Sequence, residues 1–134
     1  MTKTTLLALM ASSLASCGGD SGTDDYQMAL QRAEAKRTEA VSLAPASPCN
    51  AVAQCASLQF VTPAGHCSSF SYRPYSLVSA TADAASAAAA DQRELAGRAI
   101  ELAPPPVTAC TTVIEAPPTL GCVASTCQAV APAN

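Results

Sequence analysis

The cysteines constrain this chain more than any other feature of its sequence. After Cys17 there are six more, in two clusters of three that flank a segment of 42 residues; they are Cys49, Cys55, Cys67, Cys110, Cys122 and Cys127. An even number of cysteines in a short exported chain is typical of a disulfide framework. We therefore predict three disulfides, with Cys55 bonded to Cys67 across a hairpin and Cys49 bonded to a cysteine of the last cluster.

The remaining side chains provide little apolar bulk for a core. The 134 residues include 30 alanines, and only 23 residues after position 16 are Val, Ile, Leu, Met, Phe or Tyr. Burying one such side chain contributes about 1.5–3 kcal/mol, whereas ordering the backbone costs about 1–2 kcal/mol per residue. The composition indicates one small cross-linked domain and excludes a nucleotide-binding α/β enzyme and a multi-span membrane protein. The net charge of −3 argues against a nucleic-acid partner.

The first sixteen residues have the parts of an export signal. Lys3 supplies the positive charge, residues 6–14 are largely apolar, and small residues follow them. The apolar stretch is shorter than the roughly 20 residues that span a bilayer. We therefore expect residues 1–16 to be a signal peptide rather than a permanent helical anchor.

The end of this segment resembles the lipobox of bacterial lipoproteins, through Leu14, Ala15, Ser16 and Cys17. The resemblance implies cleavage before Cys17 and attachment of lipid to it, which anchors the protein to a membrane. Gly18 follows Cys17 where an Asp would retain such proteins at the inner membrane, so the resemblance implies the outer membrane, facing the periplasm. The alternative is an ordinary secretory signal that leaves Cys17 unmodified in the mature chain.

Residues 17–48 are predicted to form a lipidated tether and a helical stalk. A helix is expected from Asp24 or Asp25 to about Val41, with a thin apolar face. It either lifts the following domain away from the membrane, which we favour, or packs on that domain. The prolines at positions 45 and 48 end it, because proline cannot continue the hydrogen bonding of a helix.

Residues 49–134 are predicted to form a cysteine-rich α+β domain, in which one long alanine-rich helix lies on a short antiparallel sheet. The helix covers residues 81–102, with Thr81 as its cap and Ala84, Ala88, Leu95, Ala99 and Leu102 on one face. The expected strands are residues 58–60, 67–78 and 107–114, with turns at 62–65 and 115–118 and a two-strand ending at 120–130.

This domain also resembles a group of small, disulfide-rich proteobacterial envelope proteins and lipoproteins. The matching residues are Cys49, Cys55, Leu58, Gly65, His66, Cys67, Tyr72, Arg73, Pro74, Tyr75 and Ser76. The resemblance covers residues 49–127 and implies a fold and an envelope location, without an activity. The chain departs from the group at Ser68 and Ser69, where two glycines are usual, and between Cys122 and Cys127, where a glycine is common.

Four neighbouring residues are a candidate binding patch: Phe70, Tyr72, Arg73 and Tyr75. Tyrosine and arginine are frequent anchors of protein interfaces. The alternative, which we favour, is that Phe70 and Tyr72 supply the core face of a strand, because residues two positions apart share a face.

His66 is the only histidine, so a Cys–His mechanism would pair it with Cys67. Neighbours on a strand point to opposite faces, and Cys67 is expected to be in a disulfide, so we predict no catalytic residue. A zinc site is disfavoured because the cysteines do not form two closely spaced pairs. We therefore predict no metal and no cofactor.

These observations lead us to expect a lipid-anchored, non-enzymatic binding or structural module whose partner is an envelope protein or a small ligand. The alternative is an inhibitor of a secreted or envelope hydrolase. In that case a proline-rich loop at residues 103–108 or 115–120 would enter the cleft of the enzyme, since a loop held between disulfides is ordered before binding. A third hypothesis is an enzyme that uses Cys67 or His66.

Overall fold

The computed structural model describes residues 21–105, 109–111 and 115–132. Its elements are α1 Ser21–Leu43, a 3₁₀ turn Val52–Gln54, β1 Cys55–Ala64, β2 Cys67–Ser76, α2 Ala82–Leu102, β3 Leu120–Val123 and β4 Thr126–Ala129. Two helices, antiparallel strands and three disulfides confirm the predicted α+β class. Neither of the described helices is both long and apolar enough to cross a membrane.

The strands β1 and β2 form an antiparallel hairpin of two ten-residue strands, with Ala64 opposite Cys67. The chain reverses at Gly65 and His66, and Gly65 has a φ of 63°, a conformation that glycine adopts readily. The predicted turn at residues 62–65 shares only Gly65 with the observed one, because β1 continues through Pro63 to Ala64.

The core lies on one face of this hairpin, which we call the core face. Leu58 and Phe60 of β1 and Tyr75 of β2 are buried there. Small side chains from both helices and from Ala44, which follows α1, pack against them; those in the helices are Ala40, Ala82, Ala85, Ala88 and Ala89. Three large side chains surrounded by alanine methyl groups thus form the centre of the domain.

The helices α1 and α2 pack side by side through alanine. Ala29, Ala33 and Ala40 of α1 are buried, as are Ala96 and Ala99 of α2. From the sequence, the first helix could either be a stalk or pack on the domain. The structure shows that it packs on the domain. The stalk that we favoured is not a separate element, because α1 is part of the domain along its length.

Polar contacts also hold α1 in place. The Arg37 guanidinium lies 5.2 Å from the centre of the Phe60 ring and donates hydrogen bonds to Thr62 Oγ1 at 3.0 Å and Ser71 Oγ at 3.3 Å. These contacts tie α1 to both strands of the β1–β2 hairpin.

An ion pair links the two helices at the surface. Lys36 Nζ lies 2.8 Å from a carboxylate oxygen of Glu39 and 3.4 Å from one of Asp91 on α2. The hydrogen bond to Glu39 raises the pKa of Lys36. Such exposed pairs contribute little to stability because water screens them.

The long helix α2 has almost the predicted bounds but buries a different set of residues. Ala84 and Leu102 are exposed, and the buried positions are Ala82, Ala85, Ala88, Ala89, Gln92, Ala96 and Ala99. This buried surface is wide because α2 packs on both α1 and β1. Thr81 precedes the helix but does not cap it, since its hydroxyl donates to the Leu43 carbonyl at 2.7 Å.

The strands β3 and β4 form a second antiparallel hairpin, which confirms the predicted two-strand ending. The third strand predicted at residues 107–114 lies mostly outside the described residues. Residues 109–111 are described and are not in a strand. Residues 115–119 are also irregular and lead directly into β3.

Candidate functional site

Two disulfides lie side by side where the chain passes from α1 to β1. Cys49 is bonded to Cys122, and Cys55 is bonded to Cys127; we call these two bonds the double cystine. The Sγ atoms of Cys49, Cys55 and Cys127 all lie within 4.8 Å of one another. The double cystine therefore joins residues 49–55 to both strands of the β3–β4 hairpin.

Backbone hydrogen bonds hold the β3–β4 hairpin beside this segment. The Cys49 N–H donates to the Ser125 carbonyl at 3.1 Å, and the Cys127 N–H donates to the Ala46 carbonyl at 2.8 Å. Cys49 and Cys127 are only 1% and 2% exposed, whereas Cys55 and Cys122 are half-buried. Each disulfide thus joins a buried cysteine to a half-buried one.

Exposed apolar side chains lie in the segments around the double cystine. Val52, between Cys49 and Cys55, and Val123, next to Cys122, are 57% and 46% exposed. Leu77 is 46% exposed, and its N–H donates to the carbonyl of Gln54, which precedes Cys55. Sequence reasoning missed these residues, although the position of Val52 and Val123 beside cysteines is visible in the sequence.

The third disulfide joins Cys67 to Cys110 and lies elsewhere in the fold. Cys55 pairs with Ser76 at one end of the β1–β2 hairpin, and Cys67 begins β2 at the other end. Strands rise about 3.3 Å per residue, so roughly 30 Å separates Cys55 from Cys67. The predicted Cys55–Cys67 disulfide is therefore wrong, whereas Cys49 is bonded to the last cluster as expected.

Three sulfurs of the double cystine, those of Cys49, Cys55 and Cys127, are also the one group of close metal-ligand atoms found within the described ranges. A cysteine binds a metal through its thiolate. Cys49, Cys55 and Cys127 are each bonded to another sulfur. In this oxidised form the cluster has no thiolate with which to hold a metal.

The four residues of the candidate binding patch do not share one face of β2. Tyr75 is buried on the core face, and Arg73, two positions away on the same face, is exposed. Phe70 and Tyr72 lie half-buried on the opposite face, where Gln59 Nε2 donates to the Tyr72 hydroxyl at 3.2 Å. The expectation that Phe70 and Tyr72 supply the core face is wrong, because Tyr75 has that position.

The third disulfide removes the nucleophile of the Cys–His hypothesis, because it includes Cys67. His66 is half-buried in the turn between β1 and β2. Its neighbour Cys67 is bonded to Cys110 and is therefore not a thiolate nucleophile.

The two loops of the inhibitor hypothesis are only partly described. In the first loop, Ala103 is buried and Pro104 and Pro105 are exposed, while residues 106–108 lie outside the described ranges. In the second loop, Glu115 and Pro117 are exposed, and Pro118 is half-buried. Both loops thus present proline at the surface, as the hypothesis requires.

No protein-family model, curated protein or solved structure matches this chain. The resemblances to bacterial lipoproteins and to disulfide-rich envelope proteins remain predictions that rest on the residues of this chain.

Proposed function

We propose that this chain is a lipid-anchored protein of the bacterial cell envelope, whose disulfide-bonded domain is a non-enzymatic binding or structural module. The proposal depends chiefly on the short distance between the predicted lipid site and the fold. Helix α1 begins at Ser21, four positions after Cys17. Four residues span at most about 14 Å, so lipid on Cys17 would hold the domain itself close to the membrane surface.

The position of α1 gives the anchored domain an orientation. Its 23 residues correspond to a length of about 35 Å at 1.5 Å per residue. The lipid site precedes one end of α1, and the double cystine follows the other end, beginning at Cys49. An anchored domain would therefore present the double cystine and the exposed Val52, Leu77 and Val123 away from the lipid, where an envelope partner can reach them.

The disulfides support a location outside the cytoplasm. They join residues that are 73, 72 and 43 positions apart. A disulfide typically contributes about 2–4 kcal/mol to stability, and disulfides persist in oxidising compartments such as the bacterial periplasm. A domain with so few large apolar side chains would depend on that compartment for its stability.

The anchor is tested by the intact mass of the protein extracted from membranes, after free thiols are alkylated with and without prior reduction. We expect the mass of the chain from Cys17 onward plus lipid, no alkylated thiol before reduction and six after it. The variant Cys17→Ser is the matched control and should appear unlipidated in the soluble fraction with all three disulfides. An unmodified Cys17 in the natural protein would contradict the anchor, and two or more free thiols would contradict the oxidised domain.

The binding role is tested by site-specific photo-cross-linking in cells. A photoreactive residue at Val123 should give a discrete cross-linked product, because this side chain is exposed beside the double cystine. The same residue at Ala90, which is exposed on α2, is the control and should give none. Equal cross-linking at both positions, or none at Val123, would count against a partner at this end of the domain.

A further inference from the structure

The double cystine brings the sulfurs of two different disulfides close together. Cys49 Sγ, which is bonded to Cys122, lies within 4.8 Å of both Cys55 Sγ and Cys127 Sγ, which are bonded to each other. Thiol–disulfide exchange requires a thiolate to reach a disulfide sulfur. A thiolate released at Cys49 would therefore already lie beside the second disulfide.

The fold also permits a second pairing of the same four cysteines. Cys122 and Cys127 face each other across the β3–β4 hairpin. The Cys127 N–H donates to Ala46 rather than to β3, so this is a non-hydrogen-bonded pair, with Cα atoms about 4.5 Å apart. That separation lies within the disulfide range of about 4.4–6.8 Å, and the sulfurs of Cys49 and Cys55 are close as well.

We infer that the double cystine is a site of thiol–disulfide exchange, at which an external thiolate converts the pairs Cys49–Cys122 and Cys55–Cys127 into Cys49–Cys55 and Cys122–Cys127. The thiolate belongs to a small thiol or to a thiol–disulfide exchange protein. Its point of attack is Cys122, because residue Cys122 is half-buried whereas its partner Cys49 is buried. The inference does not depend on the lipid anchor.

The exchange proceeds in three balanced steps. The external thiolate bonds to Cys122 Sγ, the Cys49–Cys122 bond breaks, and its electron pair remains on Cys49 as a thiolate. The Cys49 thiolate then bonds to Cys55 Sγ and releases Cys127 as a thiolate. Finally, the Cys127 thiolate bonds to Cys122 Sγ and releases the external thiolate. The external thiol is regenerated, so no net oxidation or reduction takes place.

The exchange changes how the β3–β4 hairpin is held. In the observed pairing, two disulfides that join positions 73 and 72 residues apart fasten the hairpin to residues 49–55. In the second pairing each disulfide lies within its own segment, and hydrogen bonds such as that from Cys49 to Ser125 remain. Long loops constrain the unfolded chain more than short ones, so the observed pairing is the resting form and the second pairing loosens the hairpin.

A free cysteine inside the cluster provides the first test. In Cys122→Ser, Cys49 is left as a thiol beside the Cys55–Cys127 bond. After acid quenching and alkylation, we expect label on Cys49 and also on Cys55 or Cys127. The matched control Cys110→Ser frees Cys67 outside the cluster and should be labelled at Cys67 alone. Label confined to Cys49 in Cys122→Ser would overturn the proposal. Label on Cys67 and Cys110 in the same variant would also overturn it, because it would indicate general unfolding.

A second measurement keeps the four cysteines intact and uses trypsin as the readout. In the double variant Cys67→Ser with Cys110→Ser, cleavage after Arg93 and Arg98 leaves the two halves joined only by the double cystine. The protein is incubated without denaturant in the presence of a substoichiometric amount of reduced glutathione. Some of each half should then be released as a separate peptide that has an internal disulfide and no alkylated thiol. The same sample without glutathione should stay joined. Halves that stay joined in both samples would overturn the proposal.

Discussion

The side-chain amide of Gln92 takes the place of a neighbouring strand for Val61. Gln92 Oε1 accepts a hydrogen bond from the Val61 N–H at 3.1 Å, and Gln92 Nε2 donates to the Val61 carbonyl at 2.6 Å. Arg93 similarly donates to the Gln59 carbonyl at 3.2 Å. Within the part of the chain that the structure describes, β1 pairs with β2 alone, so these outward backbone groups would otherwise form an open sheet edge. Helix α2 therefore closes the edge of the sheet as well as covering the core.

Gln92→Leu should lower the free energy of unfolding by about 2–4 kcal/mol. The substitution keeps a side chain of similar size but leaves two backbone groups of Val61 without partners in a site where Gln92 is 2% exposed. Chemical denaturation with the disulfides intact measures this change. Gln27→Leu, at an exposed position of α1, is the control and should stay within about 0.5 kcal/mol of the unsubstituted protein. Equal effects of the two substitutions would show that the edge contact is unimportant.

Ala96→Leu should destabilise the protein by about 1–3 kcal/mol. Ala96 is fully buried where α2 packs closely, and three additional carbons there would force the neighbouring elements apart. Ala90→Leu makes the same change at an exposed position of α2 and should have little effect. Thermal unfolding of both variants provides the comparison. A Tm for Ala96→Leu as high as that for Ala90→Leu would mean that the helices have room between them.

Two glycines should respond to alanine with opposite signs. Gly65 has a φ of 63° and no atom near its missing side chain, so Gly65→Ala should cost about 1–2 kcal/mol through backbone strain alone. Gly97 lies inside α2 with similar open space, so Gly97→Ala should stabilise the protein by about 0.5–1 kcal/mol. Denaturant unfolding measures both. A change of the same sign in the two variants would refute the assigned backbone conformations.

Pro63 shows why the bounds of the β1–β2 hairpin could not be predicted from the sequence. Proline and glycine are typical of turns, so the sequence predicts that Pro63 lies in a turn at residues 62–65. In the structure the Val61 N–H points outward to Gln92, and Pro63, two positions later, has the same orientation. Its missing donor therefore faces away from β2 and weakens no strand pairing. The turn therefore lies closer to β2 than predicted, at Gly65 and His66.

Alanine explains why the bounds of α2 could be predicted from the sequence and why the packing of α1 could not. The bounds of α2 follow from its alanine-rich run and the prolines that end it, and the prediction of residues 81–102 was nearly correct. The sequence pattern predicts a face of α1 formed by Tyr26, Leu30, Ala33, Arg37 and Val41. The buried residues of α1 are Ala29, Ala33 and Ala40, so the predicted and observed faces share only Ala33. Methyl groups give a weak hydrophobic pattern, so the sequence could not distinguish a packed helix from a stalk.

The turn between β3 and β4 gives a last prediction, at the residues where the chain lacks the expected glycine. Ala124 and Ser125 have φ values of 49° and 59°, the left-handed conformations of a type I′ turn, which favours Asn and Gly. Ser125→Gly should therefore raise the free energy of unfolding by about 1 kcal/mol, since its carbonyl can still accept the hydrogen bond from Cys49.

The measurement is denaturant unfolding of the oxidised protein, with Gln128→Gly as the control. Gln128 is exposed within β4, where glycine has no advantage and loosens the strand, so this control should be less stable than the unsubstituted chain. A gain for Ser125→Gly together with a loss for Gln128→Gly would assign the effect to the turn. A loss for both would mean that Ser125 carries no backbone strain, and that the disulfides rather than the turn determine how β3 meets β4.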